Sequence, residues 1–398
     1  MHSLVFNLKR NIIELSLVLF VGFCSAYITQ ITSYSPYYFG YLVSLLFLFL
    51  YAFINLKIGK PKNSKILLFF TTIIFLYYIF NGFITKTQKA ILGNIILLCV
   101  NQISTIITYQ ICSQISFSKK ERVLKDSINF FYKIALFLGI CDFLYRFVHS
   151  TRTYVGYQFF YNFKLNSLMF PDSNWTGFIY MLVFAFFVYL KDNTRFITKK
   201  QIVCIFVVIL LSFSRAATAS SILVILYSEF QKLSKSKRKF VFIISVMLFF
   251  IFVPIIISFL SKDDSFGTKL ALLNGAKYYL HHVSLKNFLF GNGTLAASTD
   301  MSLLGNIGYS AHLYLIIKIL DLGLIGLLID FGYLLIIFLI SRKKFFYLVL
   351  PFFVCGLSMC PTNLSMMYVF GGLMIYIEEN KRRNNNGFNF NNNACLQC

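Results

Sequence analysis

Long apolar runs separated by short polar connections dominate the sequence. A helix needs about 20 residues to cross a hydrocarbon core of roughly 30 Å, and most of the runs reach that length. We therefore predict an all-α integral membrane protein with about 12 transmembrane helices and two longer external loops. Residues 1–383 would form one polytopic membrane domain, followed by a disordered, Asn-rich cytoplasmic tail at 384–398. The predicted spans are 12–31, 37–56, 66–84, 90–110, 129–148, 173–190, 201–214, 216–230, 240–260, 322–340, 345–360 and 362–377.

Lysine and arginine recur in every second connection between these runs. The basic clusters lie at 9–10, 57–65, 119–125, 191–200, 232–239, 342–344 and 381–383. Since short loops rich in Lys and Arg stay in the cytoplasm, this distribution predicts that both termini are cytoplasmic. The formal net charge of +23 would suggest nucleic acid as a partner of a soluble protein. Because the charge follows the ends of membrane spans, we expect no nucleic-acid partner.

One arginine interrupts an otherwise apolar stretch between Lys200 and Lys232. Both ends of this stretch reach the same side only if the chain folds back at Ser214 and Arg215. The alternative, a single tilted helix over 201–230, would place three basic connections outside the cell. We therefore expect a hairpin with Arg215 below the far membrane surface. An intramembrane cation in that position suggests a site for an anion.

Two connections on the far side are long, at about 149–172 and 261–321, and long connections are usually functional. Positive charge is disfavoured outside, so the cations found there need a reason. They either contact lipid headgroups or line, together with Arg215, a cavity for a phosphate-bearing ligand. The histidines of these connections are His149, His281, His282 and His312, and the cations are Arg152, Lys164, Lys262, Lys269, Lys277 and Lys286.

The end of the second connection predicts a helix that lies at the interface and runs into the tenth span. At 100° per residue, Gly323 would lie three turns below His312 on nearly the same face, with Gly326 close by. These glycines would let a neighbouring helix pack closely beneath the imidazole. Lys318 and Asp321 would pair on the opposite side. Both a structural and a catalytic role for His312 are open on these grounds.

The same residues resemble the signature of the O-antigen ligase and O-antigen polymerase superfamily. His312 is followed by Gly323-Leu-Ile-Gly326, as in that signature. Leu313 stands where the ligases commonly carry Asn, Ser or Gln, which favours a polymerase. Lys269 stands where an external-loop block of the family usually has Arg. Further segments similar to recurring features of the family are Phe170-Pro-Asp-Ser-Asn-Trp-Thr-Gly177, Ser212-Phe-Ser-Arg-Ala-Ala-Thr218, Thr268-Lys-Leu-Ala-Leu272 and Asn287-Phe-Leu-Phe-Gly-Asn-Gly293.

The resemblance implies a glycosyltransferase-C-like membrane fold and a metal-independent glycosyltransferase that uses no cofactor. The donor would be a glycan on undecaprenyl pyrophosphate, and an acceptor hydroxyl would displace the diphosphate. Such chemistry needs positive charge near the diphosphate and a base near the hydroxyl. Arg215 is the candidate for the first role. His312 is the candidate base, or alternatively stabilises the diphosphate as an imidazolium. The candidate substrate-binding residues are Lys269, Asn174, Arg152 and Lys164.

These features favour a polymerase that joins lipid-linked repeat units into O-antigen or capsular polysaccharide at the outer face of the bacterial inner membrane. An O-antigen ligase, which transfers glycan to the lipid A core, is the nearest alternative. A lipid-linked oligosaccharide flippase and a membrane sensor are more distant ones, because no internal repeat is evident. Besides the donor lipid and the bilayer, the resemblance suggests a chain-length regulator and a flippase as partners. No Asp-x-Asp pair stands in the long connections, so no metal site is predicted.

Overall fold

The computed structural model describes residues 2–31, 62–85, 90–115, 120–150, 163–245, 264–293, 296–305, 313–358 and 365–386, with a few positions between 36 and 46 and at 247. The described part of the chain is all-helical and contains no β-strand. Its helices are α1 (His2–Phe23), α2 (Lys62–Thr85), α3 (Ala90–Gln114), α4 (Lys120–His149), α5 (Ser173–Asn193), α6 (Lys199–Leu211), α7 (Arg215–Lys232), α8 (Asp264–His282), α9 (Leu285–Phe290), α10 (Ala296–Thr299), α11 (Tyr314–Ile340), α12 (Phe346–Gly356) and α13 (Ser365–Asn386).

Four helical segments of the described residues are long and apolar enough to cross a membrane. They are Asn63–Thr85, Glu121–His149, Ser173–Asn193 and Tyr314–Ile340. The apolar window of α5 is 89% buried against 33% for that of α2, so α5 is the central helix and α2 has an outward apolar face. At 1.5 Å per residue, α5 is about 31 Å long, close to the thickness of a hydrocarbon core. These helices support a membrane-embedded protein.

The predicted total of twelve spans remains a prediction. Helices occupy most of the predicted positions, but 37–56 and 240–260 lie largely outside the described residues. Two of the helices that are described, α6 with 13 residues and α12 with 11, are shorter than a perpendicular crossing requires. At the other end of the chain, α13 extends to Asn386, into the segment predicted as a tail, and 387–398 lie outside the described residues.

The basic connections meet at one end of the bundle, which we call the basic end. Asp192, in the last turn of α5, accepts hydrogen bonds from Ser228 of α7 at 2.5 Å and Tyr347 of α12 at 2.9 Å. Lys381 of α13 donates to Asn193 at 3.3 Å. The described members of the clusters at 191–200, 232–239, 342–344 and 381–383 therefore share one end. The alternation of basic connections predicted from the sequence agrees with this arrangement.

The opposite end, which we call the hairpin end, contains the turn between α6 and α7. Ser173, the first residue of α5, donates to the Ser212 carbonyl at 2.8 Å. From α4, Arg146 donates to the Leu211 carbonyl at 3.1 Å. The start of α13 lies at the same end, because Ser365 shares a hydrogen bond of 3.0 Å with Tyr27, which follows α1.

The predicted hairpin at Ser214 and Arg215 is confirmed, although no Gly or Pro breaks the helix. Ser212 ends α6 by donating to the Ile209 carbonyl at 2.6 Å. Phe213 adopts a positive φ of 54°, and Ser214 begins α7 by accepting from the Ala217 amide at 3.4 Å. Serine is a favoured N-cap because its hydroxyl satisfies an amide that the first helical turn leaves free. Two serines therefore stop one helix and start the next.

The second long connection is largely helical, since it contains α8, α9 and α10, and α11 begins at Tyr314. We predicted that an interfacial helix runs into the tenth span, and this prediction is wrong in one respect. Gly323 has φ 67° and ψ −175°, which breaks α11 into a first arm (314–322) and a second arm (324–340). The first arm and the tenth span therefore do not share one helical face.

The two arms of α11 fold against each other. Lys318 forms an ion pair with Asp330, twelve residues further along, which a straight helix would hold about 18 Å away. The rings of Tyr314 and Phe331 also meet, with centroids 6.4 Å apart. The predicted pairing of Lys318 with Asp321 is therefore wrong, because the break turns Lys318 toward the second arm. Asp321 instead accepts a hydrogen bond from the Ala297 amide at 2.7 Å.

A small second core fixes the first arm of α11 to the helices of the connection. Its buried members come from α8, α10, the 3-10 turn Met301–Leu304, the first arm and the N-cap residue Leu313 that precedes it. The first arm is thus packed on both faces, against this core on one side and against the second arm and α12 on the other. The buried residues of this core are Leu272, Tyr279, Ala297, Leu304, Leu313, Ile316, Ile317 and Leu320.

Candidate functional site at the hairpin end

Arg215 is the first residue of α7, directly after the cap Ser214, and its side chain is exposed. The amides of a first helical turn point outward and carry partial positive charge. A guanidinium at the same place adds a full charge and several hydrogen-bond donors. The start of α7 is therefore suited to hold an anion, and the role expected of Arg215 remains a prediction.

The start of α5 lies directly beside the start of α7. A Cβ built on Gly177 would lie 2.6 Å from both Ser212 Oγ and Ser214 Cβ, so only glycine allows α5 to pack this closely on the turn. The two helices run in the same direction from this point, since both end at the basic end. The positive ends of their helix dipoles therefore face the same region, which favours negative charge there.

Asn174 belongs to the cap of α5 in this structure. Its backbone amide donates to Asp172 Oδ1 at 2.8 Å, and its side-chain Nδ2 donates to Asp172 Oδ2 at 3.1 Å. Asp172 is the N-cap residue, which explains why a carboxylate stands in a region otherwise suited to anions. The Asn174 side chain is thus placed at the site, with one donor engaged by the cap.

Lys164 is brought near the turn by its neighbour Phe163. The ring of Phe163 packs edge-on against Phe213, with centroids 5.4 Å apart, two residues before Arg215. Lys164 is half-buried. The described part of the first long connection therefore passes beside the turn, and the role of Lys164 in substrate binding remains a prediction.

Lys269 lies on α8, within electrostatic reach of the Cys355 thiol near the end of α12. Cys355 in turn neighbours Ser220 of α7. Since Ser220 is five residues beyond Arg215, it lies about 7 Å from it along the helix axis. The structure thus brings Lys269 to the same half of α7 that carries Arg215.

His312 and Arg152 lie outside the described residues, so their predicted roles are not tested. The residue two positions after His312 is described. Tyr314 packs on Phe352 of α12, with ring centroids 4.8 Å apart, and a Cβ built on Gly356 would lie 3.3 Å from the Tyr314 Cβ. The chain therefore passes beside the end of α12, next to Cys355.

The segment resembling the family's external-loop block docks on the break in α11. The amides of Asn292 and Gly293 donate to the carbonyls of Leu320 and Asp321 at 2.8 and 3.1 Å. Tyr279 accepts from Asn292 Nδ2 at 2.9 Å. Burial raises the pKa of the Tyr279 hydroxyl, while the hydrogen bond from Asn292 lowers it, and the hydroxyl stays protonated at neutral pH. This block therefore has a structural role, because its amides donate hydrogen bonds to the backbone carbonyls next to the helix break.

Sequence reasoning missed Asp142 and Arg146 on α4, which form a buried ion pair at the hairpin end. The Arg146 Nε to Asp142 Oδ2 distance is 2.9 Å, and both side chains are at most 2% exposed. The available signal was their spacing of four residues inside an apolar span, where ionisable residues usually have a function.

The described residues contain no group of three or more His, Cys, Asp or Glu side chains that could hold a metal ion.

Comparison with known proteins adds no family to this picture. No protein-family model matches the chain, and no curated protein matches it in sequence.

Proposed function

We propose that this protein is a polymerase that joins repeat units carried on undecaprenyl pyrophosphate at the outer face of the bacterial inner membrane. The observation that supports it most is the place of Arg215. It stands at the start of α7, beside the start of α5, at the end of the bundle opposite the basic connections. If the basic end is cytoplasmic, as the positive-inside rule requires, Arg215 faces the outer leaflet.

The proposed reaction is a displacement at the anomeric carbon of the donor glycan. The hydroxyl oxygen of the acceptor sugar forms the new glycosidic bond, and the bond from the anomeric carbon to the diphosphate oxygen breaks. The diphosphate leaves with the electron pair, and the hydroxyl proton passes to a base. Negative charge grows on the diphosphate in this step, so the Arg215 guanidinium and the helix N-termini would stabilise the transition state. Lys269 and Lys164 would supply further positive charge.

His312 remains the proposed base, with stabilisation of the diphosphate as an imidazolium as the other role. Tyr314, two residues further along the chain, lies beside α12, and this supports either role for His312. An O-antigen ligase would use the same donor and the same cations. It differs from the polymerase in the acceptor alone, which would be a lipid A core in place of a second repeat unit.

A transporter of lipid-linked oligosaccharide is the second candidate, and the break in α11 favours it. Transporters commonly bind substrate at helices that are interrupted within the membrane, with charged residues at the break. The first arm of α11 folds back on the second, and Lys318 joins them through an ion pair with the buried Asp330. Buried ionisable residues in membrane spans are also frequent in transport pathways.

The deciding experiment compares deletion and point variants in the native host. Deletion of a polymerase leaves single repeat units on the acceptor, and Arg215→Ala should give the same pattern. Arg215→Ala should reduce the rate of chain extension on the order of 10²–10³-fold, because one positioned charge is lost. The measurement is the length distribution of the surface glycan, with the amount of membrane-inserted protein determined in parallel.

The matched control is Arg122→Ala, since Arg122 is an exposed arginine at the basic end of α4 and should leave chain length unchanged. Normal long chains in Arg215→Ala would refute the role of Arg215. Lipid-linked units trapped on the cytoplasmic face of the deletion strain would show a flippase. Finished polymer that accumulates on its lipid carrier would show a ligase.

A further inference from the structure

The Asp142–Arg146 pair lies inside a segment long and apolar enough to span a membrane. Arg146 is 2% exposed and Asp142 1% exposed, and the two are joined by a 2.9 Å contact from Nε to Oδ2. A buried ion pair contributes little net stability, because desolvation offsets the attraction between the charges. We therefore expect that this ion pair holds other groups of the protein in place.

The carboxylate of the pair holds the segment that precedes α5. Asp142 Oδ1 accepts from the Ser167 hydroxyl at 2.5 Å and from the Met169 amide at 3.3 Å. Ser167 also shares a hydrogen bond of 2.9 Å with Thr176, in the first turn of α5. Asp142 thus connects α4 to the start of α5.

The guanidinium of the pair holds the end of α6. Arg146 Nη2 donates to the Leu211 carbonyl at 3.1 Å, directly before the turn that leads to Arg215. The carbon of the guanidinium also lies 5.0 Å from the centre of the Phe163 ring, and that ring packs on Phe213 within the turn. Arg146 therefore contacts both the backbone before the turn and the aromatic side chain that covers it.

We propose that Arg146 is a positioning residue for Arg215, a role that rests on the function proposed above. One guanidinium, oriented by Asp142, holds the end of α6, while the same carboxylate holds the segment before α5. The starts of α5 and α7 are thereby kept side by side, with Arg215 as the first residue of α7. Arg146 acts through the turn, and Arg215 is the group that meets the diphosphate.

The role needs arginine in particular. Nε and Nη2 donate in different directions from one rigid plane, to Asp142 and to Leu211. Nη1 is buried without a hydrogen-bond partner among the described residues. A lysine would keep the charge beside Asp142, but its single ammonium cannot reproduce this fork. Arg146→Lys therefore removes the positioning contact and leaves a charge pair.

The first test measures amide hydrogen exchange in the full-length protein reconstituted in lipid nanodiscs. Arg146→Lys should accelerate exchange at 212–218 about tenfold, because a hydrogen bond from a charged group to the end of α6 is lost. Exchange in α13 should stay unchanged. The matched control is Glu378→Gln, which alters a buried carboxylate paired with Lys381 at the basic end and should leave 212–218 unaffected. Unchanged exchange at 212–218, or equal acceleration in α13, would overturn the proposal.

The second test measures chain extension in Arg146→Lys, Arg215→Lys and the double variant. Each single variant should lower the rate on the order of tenfold to a hundredfold, since small displacements of a catalytic group have effects of that size. The double variant should be no slower than the slower single variant, because Arg146 acts through Arg215. Losses that multiply would overturn the positioning role. Absence of chain extension by the unmodified protein would refute the proposed function, and the exchange measurement would still decide whether Arg146 holds the turn.

Discussion

Lys318 and Asp330 show at the scale of single residues how an ion pair can hold a folded-back helix. Lys318 is 14% exposed and Asp330 2% exposed, and Tyr78 donates to the other carboxylate oxygen of Asp330 at 3.2 Å. The ammonium of Lys318 also lies 5.8 Å from the centre of the Tyr314 ring. The pair therefore joins the two arms of α11 to α2. Loss of one partner would leave a buried charge without compensation.

We expect Lys318→Met to lower the free energy of unfolding by about 3–5 kcal/mol, because it leaves Asp330 charged and buried. The double variant Lys318→Met/Asp330→Leu should recover most of that loss, since no uncompensated charge remains. Thermal unfolding in one detergent would measure both. The control is Arg122→Met, which breaks an exposed pair with an Arg122 Nε to Asp126 Oδ2 distance of 3.7 Å and should cost at most about 1 kcal/mol. A single variant as stable as the unmodified protein would contradict the expectation.

At the scale of elements, two glycines form the junction between the second connection and α11. Gly323 has φ 67° and Gly291 φ 78°, a region that residues with a Cβ rarely adopt. A Cβ built on Gly323 would lie 2.4 Å from the Gly291 nitrogen, and one built on Gly291 would lie 2.4 Å from the Asp321 carbonyl oxygen. The backbone of each segment occupies the space where a Cβ on the other segment's glycine would lie. The Gly-x-x-Gly pattern therefore has a packing role in this chain: Gly326 likewise accommodates Tyr77.

Gly323→Ala should destabilise the protein by at least about 2 kcal/mol, because it combines a left-handed backbone with a clash against backbone atoms. Gly332→Ala provides the matched control. Gly332 lies in the second arm of the same helix, and a Cβ there would meet nothing within 4 Å. Since alanine favours helix over glycine, this control should be neutral or stabilising by up to about 1 kcal/mol. Equal thermal stability of the two variants would contradict the close backbone packing between Gly323 and Gly291.

At the scale of the whole molecule, the basic connections and the candidate site lie at opposite ends of the bundle. The basic connections meet around Asp192, whereas Arg215 and the starts of α5 and α7 lie at the opposite end. Such a separation gives the protein one orientation in a bilayer, because clustered Lys and Arg stay on the cytoplasmic side. A ligand carried in the outer leaflet would then reach the hairpin end.

Cysteine labelling tests this orientation. A cysteine at Thr218 should react with an impermeant thiol reagent added to intact cells, in a background where the nine native cysteines are replaced by serine. A cysteine at Lys235, an exposed position at the basic end, should react only after the membrane is disrupted. The reverse pattern would place the basic end outside and remove the support for an outer-leaflet substrate.

For the described residues, the sequence by itself determined that the chain is helical and apolar, that the basic connections share one end, and that the chain turns back at Ser214 and Arg215. These features depend on local composition, on the helical period and on alternation along the chain, all of which can be read without knowing what packs against what. The capping serines that make the turn are local as well.

Only the tertiary structure decided that α11 breaks at Gly323, that Lys318 pairs with Asp330 in place of Asp321, and that Arg146 points to the end of α6. Each of these depends on a segment far away in the chain. The residues around Gly291 pack on the break, and the ion pair forms across the two arms that the break creates. Spacing along a helix predicts which side chains meet only while the helix continues, and α11 is interrupted at Gly323, where a distant segment packs on it.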